Sequence, residues 1–234
     1  MEESIRKKLT IAADDYGIRE TSKPILELAE KNILDRVAVF AELVTDEDMQ
    51  ALLKTRVAID IHLELIHLLQ TGHEDAGSAF YRGMNFFFRR IFGIVNQRKV
   101  RDEWRRQILL FRDRFGRLPD GLNSHEHVHY FPEFFSVTVA LAEEFGIPRV
   151  RIGSQGIMLG SRAGLTAKIL SVCSRMDRNI FQRSGRVSSS WVTSFDWFTN
   201  EKEFFDTIGA AAYSDVEVVF HPERPEERRI LESW

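Results

Sequence analysis

The chain has 234 residues, 44% apolar and 29% charged, a globular balance that excludes the disordered and fibrous classes. A net charge of −3 and a single cysteine, Cys173, give no reason to expect an internal disulfide or an oxidising compartment. No uncharged apolar run reaches about 18 residues and the first residues lack a signal-peptide core, so the expectation is one soluble cytoplasmic domain over 1–234 with no transmembrane segment.

Short apolar runs alternate with longer amphipathic stretches, the pattern of an α/β protein. Residues 9–13 read as a first buried strand that ends in Asp14-Asp15-Tyr16-Gly17. A helix follows, with Ser22 as its cap, Pro24 in its first turn and Ile25, Leu26, Leu28 and Ala29 on its apolar side. Residues 37–44 form a predicted second strand, and Thr45-Asp46-Glu47-Asp48 an acidic helix start. Residues 57–65 alternate, with Ile59, Ile61, Leu63 and Leu65 on one face and Asp60, His62 and Glu64 on the other.

Residues 66–83 read as a loop, and helices are predicted near 84–97 and over 98–115. Gly121 to Ser124 begins another strand, and Pro132 to Phe145 a helix stopped by Gly146. Residues 149–152 form a short strand, 161–182 and 201–212 are helical, and Val216 to Phe220 is a last strand before His221-Pro222. The chain shows no internal repeat and no interdomain linker.

Between Arg82 and Arg117, eleven Arg or Lys residues face three acids, an excess that could attract nucleic acid or a lipid headgroup. The arginines punctuate Trp104, Ile108, Leu109 and Phe111 at helical spacing, which favours a solvated helix face, and no nucleic-acid module accompanies them. The run Met84-Asn85-Phe86-Phe87-Phe88 suits core packing first, and a cleft, a subunit interface or peripheral membrane contact second.

The residues able to do chemistry gather where strands end, the edge at which barrels and open α/β sheets assemble their sites. Asn123-Ser124-His125-Glu126-His127-Val128-His129 sets three histidines at alternate positions, so an extended segment puts them on one face, about 6.6 Å between neighbours. Neighbouring imidazoles at that spacing can converge on one cation. The same letters match H-E-x-x-H, but that motif needs a helix, and the preceding Gly-Leu-Asn-Ser and the following Pro132 argue against one. Asp14-Asp15 is a repelling pair, which a bound cation would relieve while leaving one carboxylate to take a proton from water. His62 and His221 stand at two more strand ends. One Asp and two His from different strands make a facial metal triad able to activate water.

The segments IAADDYG (11–17), the IHLEL around His62, NSHEHVHYFPE (123–133), IPRVRI (147–152) and VVFHPE (218–223) resemble, in order, the YdjC-like carbohydrate deacetylases. That family includes chitooligosaccharide deacetylases and a hopanoid-biosynthesis-associated branch. The resemblance implies a distorted (β/α) barrel related to polysaccharide deacetylases. It also implies metal-dependent removal of an N-acetyl group from an amino sugar, in an oligosaccharide or a glycolipid. By motif position the metal ligands are Asp15, His62 and His125, the base is Asp14, the acid His221, and Arg151 an arginine beside the carboxylate. Magnesium is the family's usual metal, whereas two imidazoles and a carboxylate suit zinc, cobalt or manganese. The family often forms dimers, so a homodimer is an expectation. Asn123 stands where the family usually has Asp, and Asp60 and Glu223 where Gly is usual; LDRVAVFAELVT (34–45) lacks the usual Thr-Ser-Thr wording. Rival readings are another metal-dependent hydrolase, such as a phosphoesterase, and a degenerate protein that binds sugars or lipid headgroups.

Overall fold

The computed structural model describes residues 3–65, 96–210 and 215–234. After a short helix α1 (Glu3–Arg6), strands and helices alternate: β1 (Leu9–Tyr16), α2 (Arg19–Glu30), β2 (Arg36–Val39), α3 (Asp46–Leu52), β3 (Ala58–Leu63) and α4 (Gln97–Phe115). Then come β4 (Gly121–Ser124), α5 (Pro132–Phe145), β5 (Arg149–Val150), β6 (Gly156–Ile157) and α6 (Leu165–Ser184). The chain continues through β7 (Trp191–Ser194), α7 (Glu201–Ala210), β8 (Val216–Phe220) and α8 (Pro225–Ser233). Tight 3₁₀ turns, His125–Tyr130 and Phe195–Trp197, follow β4 and β7.

Every strand pair is parallel, and the order is β5-β4-β3-β2-β1-β8-β7-β6. That is chain order around a ring left open between β5 and β6, a curled half-barrel with surrounding helices, as expected for a distorted (β/α) barrel. The segment before β7 spans the opening: Val187 bridges Arg149, and the Ser154 and Gln155 N–H groups donate to the Ser189 and Ser190 carbonyls at 2.9 and 2.8 Å. Gly153 is required there, because its φ is +72° and a Cβ would lie 2.2 Å from the Gly156 carbonyl oxygen.

The two faces of the sheet have opposite chemistry. Leu9, Ile11 and Ala13, Val37 and Val39, Ile59, Ile61 and Leu63, and Val216, Val218 and Phe220 join the hydrophobic core with the helices. The alternate residues are polar or small and turn inward. Arg151, just past β5, pairs with Asp14 on β1 and Glu217 on β8, four and five places away in the sheet, which only a curled sheet allows. The alternation in 57–65 therefore separates core from barrel interior: Asp60, His62 and Glu64 are all buried.

Several elements differ from their sequence reading. β1 runs on through Asp14, Asp15 and Tyr16. Helix α2 starts at Arg19, with Pro24 inside it; Ser22 caps nothing, and its hydroxyl instead accepts from the Gly17 N–H at 3.1 Å. β2 stops at Val39, and the His-rich segment is a 3₁₀ turn rather than an extended strand end. Arg101 and Arg105 share Glu144, Arg106 meets Glu42 and Glu103, Arg114 meets Asp46 and Arg117 meets Asp120, so most arginines of the described basic stretch are paired with acids. The 66–83 loop, nearly all of the 84–97 helix and the Met84–Phe88 run lie outside the described residues. No described helix is long and apolar enough to cross a membrane.

Candidate active site

A parallel sheet brings the C-terminal ends of its strands to one edge, and the sequence-predicted site residues arrive there from several elements. β1 supplies Asp14 and Asp15. The β1–β2 register shifts between Ala13 and Tyr16, and Asp15 takes a left-handed φ of +66°. The Thr21 hydroxyl and the Ile18 N–H donate to its carbonyl, which fixes this sparsely populated backbone. β3 supplies His62, and His125 opens the 3₁₀ turn after β4.

Asp15 Oδ1 lies 3.1 Å from His62 Nε2 and 3.0 Å from His125 Nδ1. The donor atoms of these three residues all lie within 4.8 Å of one another. His62 is set by its neighbour in register, Asn123, whose Oδ1 is 2.6 Å from His62 Nδ1. An amide oxygen only accepts, so Nδ1 carries the hydrogen and Nε2 turns its bonding capacity toward Asp15. Asn123 thus keeps the acceptor function expected of an Asp there, without the charge. Phe40, just past β2, packs edge-on against both imidazoles, with centroids 4.8 Å from His62 and 5.3 Å from His125.

Electrostatics follow from this packing. Burial opposes ionisation of Asp15, but hydrogen bonds and charge from His125 and His62 outweigh it and hold the carboxyl well below its usual range. Burial likewise works against protonated His125, and the Asp15 bond reverses the balance, raising its pKa. One carboxylate oxygen thus serves two imidazole nitrogens, an arrangement that protons or a divalent cation can complete.

Asp14 is 3% exposed. Arg151 grips both of its oxygens, Nη1 to Oδ2 at 2.6 Å and Nη2 to Oδ1 at 2.9 Å. Burial raises the Asp14 pKa, yet the Arg151 charge, with help from His62, keeps it below the carboxylate range. Arg151 Nε donates to Glu217 at 2.6 Å, and Arg149 donates to the other Glu217 oxygen at 2.6 Å. Alongside, Arg36 pairs with Asp60, which occupies the space beside Gly121.

His221 follows β8. Ala13 pairs with Phe220, so Asp14 and His221 are the next residues on neighbouring strands. The His221 N–H donates to Glu227 at 2.8 Å, and its buried Nδ1 has no partner among the described residues.

The other two histidines of the cluster do not join the triad. The φ values of +51° at Glu126 and +56° at His127 turn the chain. His129 is fully buried, held between Ser124 Oγ at 2.7 Å and the Arg151 carbonyl at 2.8 Å, and burial drives its pKa well below the usual value. His127 keeps a buried Nδ1 without a partner among the described residues, and burial lowers its pKa to about 4. Glu217, Arg149 and Phe40 escaped the sequence reading. An acid inside the apolar run Val-Glu-Val-Val-Phe was the available signal for Glu217; nothing in sequence singles out Phe40.

The chain matches the family described as YdjC-like protein over residues 8–233. It is 26% identical over 154 residues to a carbohydrate deacetylase of Danio rerio, across 62% of this chain and 49% of that protein. The chain thus spans about half the length of that curated relative. A crystal structure from Enterococcus faecalis V583, of a protein described as a candidate for cellobiose-phosphate cleavage, superposes with a TM-score of 0.63. It is 21% identical, covering 92% of this chain and 80% of that one, a likeness of fold.

Proposed function

The chain belongs to the YdjC-like family, and from that premise we propose that it is a metal-dependent hydrolase removing an N-acetyl group from an amino sugar and releasing acetate. The carrying observation is the convergence of Asp15, His62 and His125 from three strand ends beside a buried, ionised Asp14. The donor set fits a divalent cation: two imidazoles and one carboxylate, with His62 oriented from behind by Asn123. That chemistry suits zinc, cobalt or manganese, and the family resemblance adds magnesium. When bound, such a cation supplies a Lewis acid and lowers the pKa of water from 15.7 toward roughly 7.

The protein's own groups do the rest. Asp14 accepts the water proton; its two bonds to Arg151 fix both oxygens and keep it ionised across the neutral range. His221, at the adjacent strand end, delivers a proton to the departing amine, a poor leaving group without one. Phe40 walls one side of the imidazole pair and limits water there.

The test is acetate release from a panel of N-acetylated saccharides and glycolipids, run beside phosphate esters, before and after chelation and metal return. Acetate release that chelation stops and metal return restores is the expected result, with elemental analysis naming the metal. Phosphate release without acetate overturns the reaction, and full activity in metal-stripped protein overturns the role of Asp15, His62 and His125.

A further inference from the structure

Helix α6 carries an outer face that the barrel does not use. Its inner face buries Ala167, Leu170, Cys173, Ser174, Asp177 and Phe181. Outside stand Leu165, Ile169, Val172, Met176 and Ile180, exposed by 74, 44, 55, 61 and 37%. With Val187 just beyond the helix, these are all the exposed large apolar side chains among the described residues. At 3.6 residues per turn the five fall within an arc of about 80° and a length of about 22 Å. Scattered apolar side chains on a surface are ordinary, but a continuous stripe marks a contact.

Charge decides the kind of contact. Helix α6 holds Lys168, Arg175, Arg178 and Arg183, and its one acid, Asp177, is buried on the opposite face. None of the four cations pairs with a carboxylate among the described residues; Arg178 donates to the Gln155 carbonyl at 2.5 Å. Helix α4 is also basic, yet Arg101, Arg105, Arg106 and Arg114 all have acidic partners. Lys168, Arg175 and Arg183 thus place unpaired positive charge beside the apolar stripe on α6. A second copy docked about a two-fold axis would set this helix against itself, cation near cation, with no carboxylate on the helix face to compensate. An anionic bilayer complements both features at once: acyl chains for the stripe and lipid phosphates for the cations.

We propose that α6 seats the protein on an anionic phospholipid surface, lying in the interface without crossing it. Because α6 follows β6, Leu165 starts at the sheet edge that carries Asp15 and His125, so the first turn of the docked helix lies at the end of the barrel that holds the site. The inference goes beyond the proposed chemistry and is read without any turnover.

The full chain is sedimented with vesicles of phosphatidylcholine, with and without phosphatidylglycerol, while light scattering reports its oligomeric state. Binding roughly tenfold or more stronger to the anionic vesicles is expected. The double substitution Val172→Asp with Met176→Asp, at exposed positions, is expected to remove at least about tenfold of it. Arg175→Glu with Arg183→Glu is expected to weaken anionic binding while leaving circular dichroism unchanged. The proposal is overturned if wild-type protein ignores anionic vesicles, if Val172→Asp with Met176→Asp binds them as well, or if that variant dissociates a stable wild-type dimer. Acetate release from a soluble sugar, followed in the same variants, keeps a failure of docking separate from a failure of the reaction.

Discussion

Two charged layers share the barrel interior, and they are balanced differently. In the deeper one, Arg36 meets Asp60, Glu217 meets Arg149 and Arg151, and Arg151 clamps Asp14, three guanidiniums for three carboxylates. At the strand ends, the Asp15 carboxylate faces two imidazoles that are cationic only when protonated, while His127 and His221 each keep a buried ring nitrogen without a partner among the described residues. The deep layer is electrically closed and fixes geometry. The outer layer can take its compensation from solution, as protons or, in the proposed reading, as a cation. A buried charge network contributes shape when complete, and a ligand site where it is incomplete.

Asp14 belongs to both layers, which makes it the sharpest probe of the division. Asp14→Asn is expected to cut turnover by about 10²–10⁴ while leaving metal content unchanged, because the ligands are other residues. Steady-state kinetics with elemental analysis checks both halves. An active, metal-replete Asp14→Asn protein would remove Asp14 from the chemistry and leave it a structural partner of Arg151.

The next contrast is in stability. Glu217→Gln leaves Arg149 and Arg151 with an uncompensated buried charge and is expected to cost about 3–5 kcal/mol in urea unfolding of metal-free protein. Asp15→Asn is expected to cost far less in the same assay, since its imidazole partners can release their protons. Equal losses would erase the distinction between the layers.

A smaller effect tests the neutral acceptor behind His62. Asn123→Asp is expected to tighten metal binding by about 10–100-fold, because a charged acceptor makes the ligand imidazole more basic. Titration of metal-free protein measures it, and unchanged affinity would show that the hydrogen bond alone orients the ring.

The outer layer was partly legible in sequence and the deep one hardly at all. Asp14-Asp15, His62 and the HEHVH cluster stand out because polar residues interrupt apolar strands at their ends, and family-like wording assigns them roles. Pro132–Phe145 and Val216–Phe220 are bounded as read, and the strand beginning at Gly121 starts as read, since an N-terminal Pro with a stopping Gly146, a dense apolar run and a turn residue mark these limits. β6 has two residues and β7 four, too few for periodicity to register, and α8 is too polar to announce a core face. The extended reading of the histidines failed because two non-glycine residues adopt positive φ, a choice made by tertiary packing. Glu217 looked like one polar residue in a strand; its meaning depends on arginines nearly seventy positions earlier.

The layers should also part under pH. Asp15 raises the pKa of His125 above its ordinary 6.5 despite burial, so in metal-free protein the stability from His125 is fully present below 6.5 and fades as pH rises through the raised value. The depressed Asp15 contributes above its ordinary 3.8 and loses that contribution as pH falls through its lowered value. The pair therefore stabilises metal-free protein most between 3.8 and 6.5. Cation binding must displace the His125 proton, so apparent metal affinity is expected to fall about tenfold for each pH unit below that raised pKa. In the deep layer, Asp14 and Glu217 are lowered and Arg151 raised, so its pairs stay ionised in the native protein, and well above 4.5, where the unfolded carboxylates are ionised as well, they contribute no slope. Calorimetric metal titrations across the range, beside unfolding of the metal-free protein, read the two responses separately. An affinity flat in pH would mean that His125 holds no proton for a cation to displace.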